Sequence, residues 1–292
     1  MSTEPSLALF EQHRRRLFGI AYGMLGSVAD AEDVVQDAYL RWAGVDVSSV
    51  DSPAAYLTTI TTRLAIDELR SARRRREEYT GPWLPEPLVT EMDPDPADVV
   101  AEAEQLSLAM LTAFERLTPV ERAVLLLREV FDLDYSEIAD IVDKSPANTR
   151  QIGVRARERA GDASRRRWHA TSDDHRLMSA YLAAASAGDV ERVAEVFSQD
   201  VVLWADGGGK ARAARKPLFG AERVARHLVG VAPQAPAGTE VSLVRVNGDP
   251  AIMAVHDGRC IALVAFEVAQ GKVIGVRAIL NPDKLAGVSE GD

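Results

Sequence analysis

Cysteine is almost absent from this sequence. Cys260 is the only one among 292 residues, which excludes an internal disulfide and a cysteine metal cluster. The sequence also contains no run of about 18 apolar residues, which is the length needed to span a bilayer. The first residues also lack the basic start, apolar stretch and small-residue cleavage site of a secretory signal. These absences predict a cytoplasmic protein, and nothing in the sequence indicates a metal ion, a cofactor or a membrane contact.

Positive charge is absent from one long stretch. Residues 77–104 contain nine acidic residues and no Lys or Arg, in a chain with a net charge of −10. By contrast, residues 63–76 contain six arginines and residues 150–167 contain seven. Two basic segments on either side of an acidic linker are the pattern expected if DNA is bound at two places. For either segment alone, a charged face exposed only for solubility is the alternative.

Residues 133–159 predict a helix-turn-helix. The inner face of a short first helix is formed by Ile138, Ala139, Ile141 and Val142. The chain breaks at Asp143-Lys144, and Ser145 is a suitable cap for a second, basic helix. Its first turns carry the residues that would face base edges in a major groove, which are Asn148, Thr149, Arg150 and Gln151. Arg155 follows where phosphate is the expected partner. An ordinary helical hairpin with a solvated cationic face is the alternative.

Three helices are predicted before the acidic linker. The first covers residues 5–26 and ends at Gly26-Ser27. The second covers residues 30–42, and its apolar positions, which include a core stripe, are Val34, Val35, Ala38, Leu40 and Trp42. Ser52-Pro53 begins the third helix with a cap followed by proline at the first helical position.

These helical segments together resemble a known family. The sequence DAEDVVQDAYLRW, followed by YLTTITTRLAIDELRSARRRR, resembles region 2 of bacterial sigma factors of the sigma-70 family, extracytoplasmic-function group. Residues 115–159 resemble region 4 of the same group. Both regions occur in the correct order, with a short linker in place of region 3. The resemblance implies an alternative sigma factor that binds core RNA polymerase and directs it to a specific set of promoters.

The resemblance also implies roles for individual residues. In this family the second helix of region 2 binds the clamp helices of the polymerase, which indicates Gln36, Asp37 and Arg41, and region 4 is expected to contact the flap. The third helix and the loop before it read and open the minus-ten element, which indicates Tyr56, Arg63, Arg70, Arg73, Arg74 and Arg75. Region 4 reads the minus-thirty-five element. Many members have tryptophan in place of Tyr56, asparagine in place of Arg63 and glycine in place of Asp143.

The last third of the chain changes character. Residues 172–197 predict two helices, and strands follow at residues 201–206, 240–246, 251–257, 260–268 and 272–280. Three hairpin signals join the last four strands, and these are Asn247-Gly248-Asp249, Asp257-Gly258 and Gln270-Gly271. Helices followed by a strongly curved antiparallel sheet predict an α+β cone with an interior cavity, which resembles the SnoaL-like, NTF2-type fold.

Three short motifs match signatures of sigma factors that carry a fused domain of this kind. They are WLPEP at residues 83–87, DGGGK at residues 206–210 and NPDKL at residues 281–285. The regulatory contact that they imply comprises Trp83, Leu84, Pro85, Asp206, Lys210, Asn281, Pro282, Asp283, Lys284 and Leu285. Two alternatives stay open from the residues alone: Trp83 simply covers a domain surface, and the glycine run is either a flexible strand connection or an anion cradle.

We therefore predict a multidomain chain with two all-α domains followed by an α+β cone. Region 2 covers residues 1–79, the linker 80–96, region 4 residues 97–168 and the SnoaL-like domain 171–286. We expect the last domain to regulate the sigma factor in cis rather than to catalyse a reaction, since no pairing is evident among the available acid and base groups, Asp206, His227, His256 and Asp257.

A small ligand in the cavity of that domain is a further possible partner. The main alternative function is a ligand-responsive DNA-binding regulator that acts without polymerase. A third is an enzyme tethered to DNA.

Overall fold

The computed structural model describes residues 3–76, 78–91, 106–161 and 172–288. Contacts divide the chain into two compact units. The helical unit comprises Met1–Glu78 and Met110–Arg166, and the α/β unit comprises Tyr79–Ala109 and Arg167–Asp292. The linker that follows the first three helices therefore packs with the C-terminal part of the chain.

Three helices open the helical unit: α1 (Thr3–Leu25), α2 (Val28–Ala43) and α3 (Pro53–Arg76). Ser27 caps α2 by accepting a hydrogen bond from the backbone of Asp30. A short 3-10 helix, Val47–Ser49, lies in the loop before α3. Trp42 is fully buried, and its indole nitrogen donates to the carbonyl of Ser6 at 2.8 Å. The other buried side chains include Leu17, Ile20, Val34, Val35, Leu57 and Leu69.

Leu40 is the apolar position of α2 that lies outside the core stripe. Its side chain is 62% exposed, whereas Ala38 and Trp42 are fully buried. Residues two positions apart point in nearly opposite directions on a helix, so the position between two buried residues of this stripe faces solvent.

Four shorter helices complete the helical unit: α4 (Leu108–Phe114), α5 (Pro119–Glu129), α6 (Tyr135–Val142) and α7 (Pro146–Ala160). The boundary between the two units falls within α4. Capping boxes begin α5 at Thr118 and α6 at Asp134. These helices provide the scaffold that positions α7.

The predicted helix-turn-helix is confirmed as α6 and α7. The inner face of α6 is buried as expected. Asp143 ends α6 in the left-handed conformation, with φ 55° and ψ 58°, which Asp tolerates better than most residues. Ser145 then caps α7 by accepting a hydrogen bond from the backbone of Asn148.

The α/β unit contains one seven-stranded sheet. The helices within its described residues are α8 (Ser172–Ser186), α9 (Val190–Val196), α10 (Ala221–Val231), a 3-10 helix (Ala232–Gln234) and α11 (Pro282–Leu285). Its strands are β1 (Val89–Glu91), β2 (Phe197–Asp206), β3 (Leu218–Phe219), β4 (Glu240–Val246), β5 (Asp249–His256), β6 (Arg259–Ala269) and β7 (Lys272–Ile279). The strand order is β1-β4-β5-β6-β7-β2-β3.

The three predicted hairpins are confirmed. Two-residue turns join β4 to β7 in series, and each has positive φ at both positions, as in a type I′ turn. Their first residues are Asn247, Asp257 and Gln270, each followed by glycine. The expectation of a purely antiparallel sheet is wrong, because β2 pairs with β7 in parallel. Hairpin turns dictate only the direction of sequential neighbours, and these two strands are distant in sequence.

The sheet separates two apolar clusters. One face packs on α8, α9 and α10, with Val201, Leu203, Phe266 and Val276 among its buried residues. The opposite face carries residues of β4 to β7 together with Leu84, Leu108 and Leu285. The linker and the C-terminal helix α11 therefore share one core beneath the sheet.

Candidate functional site

Asp206 lies at the end of β2 and is fully buried. One carboxylate oxygen, Oδ2, accepts hydrogen bonds from the backbone N–H of Leu84 at 2.8 Å and from Nζ of Lys284 at 2.7 Å. The other, Oδ1, accepts from the hydroxyl of Tyr79 at 2.5 Å and from the backbone of Gly208 at 3.0 Å. Four donors compensate the loss of hydration that burial of a carboxylate entails. Asp206 thereby connects the linker to the DGGGK and NPDKL motifs.

Lys284 completes the buried contact from the other side. Its ammonium group also donates to the carbonyl of Leu84 and lies 4.1 Å from the ring centroid of Trp83. The ring of Tyr79 is 5.1 Å away. The aromatic faces and the paired carboxylate together offset the desolvation cost of burying this ammonium group.

Asn281 connects the NPDKL motif to the glycine run. Its Nδ2 donates to the Tyr79 hydroxyl at 2.8 Å. A Cβ atom at Gly208 would lie 2.4 Å from the Asn281 side chain, and Gly208 has φ +59°. Close approach and backbone conformation therefore both require glycine at this position.

The remaining predicted contact residues lie around this centre. Lys210 and Asp283 form an exposed ion pair at 2.6 Å. Leu285 is buried in the same cluster as Leu84. Pro85 is buried beside Leu84, and Pro282 is the first residue of α11. The structure thus brings the three motifs together.

Two residues of this contact were not anticipated from the sequence. Tyr79 lies between Asp206 and Asn281, and burial together with the neighbouring carboxylate raises its pKa. Asn247 exchanges hydrogen bonds with Leu88, at 2.8 and 3.0 Å, and donates to the carbonyl of Leu106 at 3.0 Å. Its position in an Asn-Gly turn signalled only the hairpin.

Helix α7 presents a polar face to solvent. Four of the residues predicted to contact DNA are exposed there: Asn148, Arg150, Gln151 and Arg155. Thr149 is wrong as a base-contacting residue, because it is fully buried and its hydroxyl donates to the carbonyl of Ser145. The opposite side of α7 packs closely on α6, since a Cβ atom at Gly153 would lie 2.9 Å from the hydroxyl of Tyr135.

The residues of α3 that were predicted to act at the minus-ten element differ in their exposure and in their partners. Tyr56 is 37% exposed, and its ring centroid lies 5.8 Å from that of Trp42. Arg70 is exposed and pairs with Asp67 at 2.7 Å. Arg63 is exposed but donates to backbone carbonyls of α6. The side chains of Arg73, Arg74 and Arg75 lie outside the described residues.

Helix α2 carries the predicted polymerase-binding residues on its solvent side. Gln36, Asp37 and Arg41 are all exposed. Leu40, the apolar residue that is not part of the core, lies next to Arg41.

From the sequence, either a phosphate contact or a surface salt bridge would be expected for Arg122, but the structure shows neither. Arg122 is fully buried, donates to the carbonyl of Gly23 at 3.0 Å and pairs with Glu115 at 2.5 Å. Glu115 also pairs with Arg76 at 2.7 Å. Burial raises the pKa of Glu115, but the two guanidinium groups outweigh it and hold the pKa below its ordinary value. Arg128 pairs with Asp134 at the surface, at 3.3 Å.

The four groups considered for catalysis do not converge on one site. Asp206 is engaged by the linker. His256 lies 3.5 Å from Asp257 at a hairpin end, and His227 lies on α10, where burial lowers its pKa. Within the described ranges, no cluster of three His, Cys, Asp or Glu residues could hold a metal ion. None of the helices described here is long and apolar enough to cross a membrane.

Comparison with known proteins agrees with this architecture. Residues 9–75 match the family Sigma-70 region 2, and residues 107–159 match Sigma-70, region 4. The ECF RNA polymerase sigma factor SigJ of Mycobacterium tuberculosis is 37% identical over 290 residues, covering 95% of this chain and 92% of that protein. The probable ECF sigma factor SigI of the same species is 31% identical, covering 97% and 95%.

A solved structure is similar over almost the whole chain. The crystal structure of Mycobacterium tuberculosis SigJ has a TM-score of 0.77 and 33% sequence identity, and the match covers 96% of this chain and 98% of that chain. The helix-turn-helix, the helical region before it and the α+β sheet domain therefore occur together in a relative of nearly equal extent. This chain belongs to the extracytoplasmic-function sigma factors of the sigma-70 family, which direct RNA polymerase in the initiation of transcription.

Proposed function

We propose that this sigma factor binds core RNA polymerase through α2, opens promoters through α3 and reads the minus-thirty-five element through α7, while its α/β unit regulates these steps in cis. We place it in the cytoplasm, where polymerase and promoter DNA are found. The observation that carries the proposal is the presence, in one chain, of both sigma regions with exposed polar faces on α2 and α7.

The polymerase contact is assigned to Gln36, Asp37 and Arg41. All three are exposed, and Leu40 adds an apolar side chain to the same region. On binding, Leu40 would be desolvated, and the charged side chains beside it would fix the orientation of the partner. The clamp helices are the partner that the family resemblance implies, and the flap is the partner implied for region 4.

The promoter contacts are assigned to two helices. On α7, Arg150 and Gln151 have the chemistry to read base edges, and Arg155 lies where it would contact phosphate. On α3, Tyr56 offers an aromatic face for an unstacked base. The charge for the DNA backbone is assigned to the other arginines predicted to act at the minus-ten element, which are Arg63, Arg70, Arg73, Arg74 and Arg75.

Regulation in cis is assigned to the contact centred on Asp206 and Lys284. The linker that separates the two sigma regions in sequence is held there by backbone and side-chain hydrogen bonds. A linker held at a fixed place restricts the positions that the two regions on either side can reach. Intramolecular attachment also gives the α/β unit a high effective concentration at its target.

A noncatalytic role for the α/β unit is supported by its interior. The sheet face toward the helices is lined by aliphatic residues, including Leu203, Leu243, Ile252, Val264 and Val276. General acid or base catalysis needs a titratable group within reach of the substrate. We therefore assign this unit to protein contact and leave a small ligand out of the proposal.

Run-off transcription on genomic DNA tests the proposal. Purified core polymerase is combined with the full-length protein, with versions ending at residue 170 and residue 280, and with Lys284→Met. We expect transcripts that depend on both core and sigma, and transcript levels that change when the Asp206 contact is lost. Lys210→Met, which removes only the exposed pair with Asp283, serves as the matched control.

The same experiment separates the alternative function. Tight duplex binding without core polymerase, altered by metabolites and accompanied by no transcript from any version, would assign the chain to ligand-responsive regulators. Unchanged transcription in Lys284→Met and in the version ending at residue 280 would contradict regulation in cis but not the assignment as a sigma factor.

A further inference from the structure

Arg63 connects the two sigma regions within the helical unit. It lies on α3, where its Nε donates to the carbonyl of Ile141 at 2.9 Å and its Nη2 donates to the carbonyl of Asp140 at 2.8 Å. Both carbonyls belong to the last turn of α6, the first helix of the helix-turn-helix. One guanidinium of region 2 therefore binds two backbone atoms of region 4.

The carbonyls of Asp140 and Ile141 accept no helical hydrogen bond from the residues that follow α6. The backbone N–H groups of Asp143 and Lys144 both donate to the carbonyl of Ala139. Carbonyls at a helix C-terminus lack intrahelical partners and carry the negative end of the helix dipole. A guanidinium has the charge and the forked geometry to bind two of them at once.

Other arginine contacts between the two regions are more buried or longer. Arg122 is fully buried, and its contact with the carbonyl of Gly23 belongs to the core of the helical unit. Arg76 pairs with Glu115 and is largely buried. Arg16 lies over the ring of Phe131, 5.1 Å from the centroid, and its Nη2 donates to the Phe131 carbonyl at the longer distance of 3.4 Å. Arg63 is exposed at the edge of the interface, so a competing anion reaches it without unfolding the helices.

Promoter binding is incompatible with this contact. Elements centred at minus ten and minus thirty-five are about 25 base pairs apart, or roughly 85 Å of duplex at 3.4 Å per base pair. Helices α3 and α6 touch through Arg63, so they cannot stay in contact while region 2 and region 4 occupy their separate elements. The Arg63 guanidinium is also one of the cations assigned to the promoter backbone.

We propose that Arg63 holds region 2 and region 4 in a closed arrangement by binding the C-terminus of α6, and that promoter phosphate displaces these carbonyls when the regions separate. This inference rests on the proposed function and adds a residue that acts before promoter binding as well as during it. The closed arrangement is stabilised by Arg63 in the free protein, and the same charge is reused when DNA replaces the helix terminus.

Distance measurements on the full-length protein test the proposal. Fluorophores are attached to Glu11→Cys on α1 and Glu158→Cys on α7, both at exposed positions, in a Cys260→Ala background. We expect Arg63→Ala to increase the population with separated labels by about tenfold and to speed association with core polymerase, because charged hydrogen bonds to α6 are lost. Arg63→Lys retains a cation and gives an intermediate population.

Arg70→Ala is the matched control. It removes the same charge from the exposed surface of the same helix, but the partner of Arg70 is Asp67 on α3 itself. We expect Arg70→Ala to leave the distance distribution of the free protein unchanged. Helix content and unfolding midpoint, measured by circular dichroism, confirm that each variant is folded.

The outcomes distinguish failure of the Arg63 proposal from failure of the proposed function. If Arg63→Ala and Arg70→Ala give the same label distances as the parent protein, the Arg63 proposal is wrong even when core polymerase binds. If Arg63→Ala separates the labels but no variant binds core polymerase, the contact that closes the free protein is upheld, whereas the proposed function and the displacement of Arg63 by promoter phosphate are both overturned.

Discussion

Nζ of Lys284 lies 2.7 Å from Oδ2 of Asp206, and both side chains are buried. A second pair, Lys210 with Asp283, joins the same two motifs at 2.6 Å but is largely exposed. The chain therefore contains a buried and a solvated ion pair between the same two segments. This arrangement allows the effect of burial to be measured with closely matched substitutions.

Lys284→Met is expected to destabilise the α/β unit by about 3–5 kcal/mol, because it leaves the Asp206 carboxylate buried without its cation. Hydrogen exchange at the backbone of Leu84 should accelerate, since that N–H donates to Asp206. Urea unfolding and hydrogen-exchange mass spectrometry provide the two readouts. Lys210→Met should cost less than about 1 kcal/mol, as for other exposed pairs. Equal losses of unfolding free energy in Lys284→Met and Lys210→Met would contradict the conclusion that the buried pair contributes more to stability.

Gly208→Ala is expected to weaken the contact between the glycine run and NPDKL. The added Cβ would lie 2.4 Å from Asn281, and positive φ adds strain of about 1–2 kcal/mol. We expect a total loss of about 2–4 kcal/mol in the free energy of unfolding. Gly238→Ala is the control, because φ is +83° there but no atom lies within 4 Å of the added Cβ. A loss in Gly208→Ala no larger than in this control would show that Asn281 moves aside freely.

The Glu115 cluster predicts a specific dependence of stability on pH. The folded-state pKa of Glu115 lies below its ordinary value of 4.5. Ionised Glu115 therefore stabilises the helical unit above about pH 4.5, and this stabilisation is lost as the pH falls through the folded-state pKa. The difference in unfolding free energy between the parent protein and Glu115→Gln should be about 2–4 kcal/mol near pH 7 and shrink toward pH 3.

Chemical denaturation at several pH values measures this difference. Asp67→Asn, which removes the exposed pair with Arg70, provides the comparison and should cost less than about 1 kcal/mol near pH 7. A gap between the parent protein and Glu115→Gln that stays constant from pH 7 to pH 3 would exclude ionised Glu115 as its source.

Substitutions on α7 should separate base reading from phosphate binding. Gln151→Ala is expected to relax specificity at one base pair, with a cost of about 1–3 kcal/mol. Arg155→Ala should weaken binding to all sequences and reduce the salt dependence by about one phosphate contact. Thr149→Val should leave base preference unchanged, since Thr149 is buried. Holoenzyme binding to a set of promoter variants at several salt concentrations measures all three, and altered base preference in Thr149→Val would contradict the observed burial.

Local sequence patterns predicted the elements that local interactions determine. The αL residue at Asp143, the Ser145 cap and the three glycine hairpins all depend on a few neighbouring residues. The three motifs of the regulatory contact were grouped because of the family resemblance. Spacing alone left Trp83 with two interpretations.

The missed features depend on residues that are distant in sequence. From the sequence, Arg122 is expected at the surface, and its burial depends on the carbonyl of Gly23 in α1. The contact of Tyr79 with Asp206 is not indicated by any residue near Tyr79 in sequence. The parallel pairing of β2 with β7 likewise follows from the arrangement of the whole sheet. Thr149 was misassigned because its position on α7 was judged without the helix against which α7 packs.

Strand β1 pairs Val89 with Val246, a residue that is synthesised 157 positions later. At a translation rate of about 5–20 residues per second, roughly 10–30 s separate the two on the ribosome. Region 2 is synthesised before this interval and region 4 during it, while the edge on which β1 pairs does not yet exist. Every new molecule therefore has complete sigma regions before it can form the sheet that holds its linker, and the contact between Asp206 and Lys284 forms only after residue 284 has been synthesised.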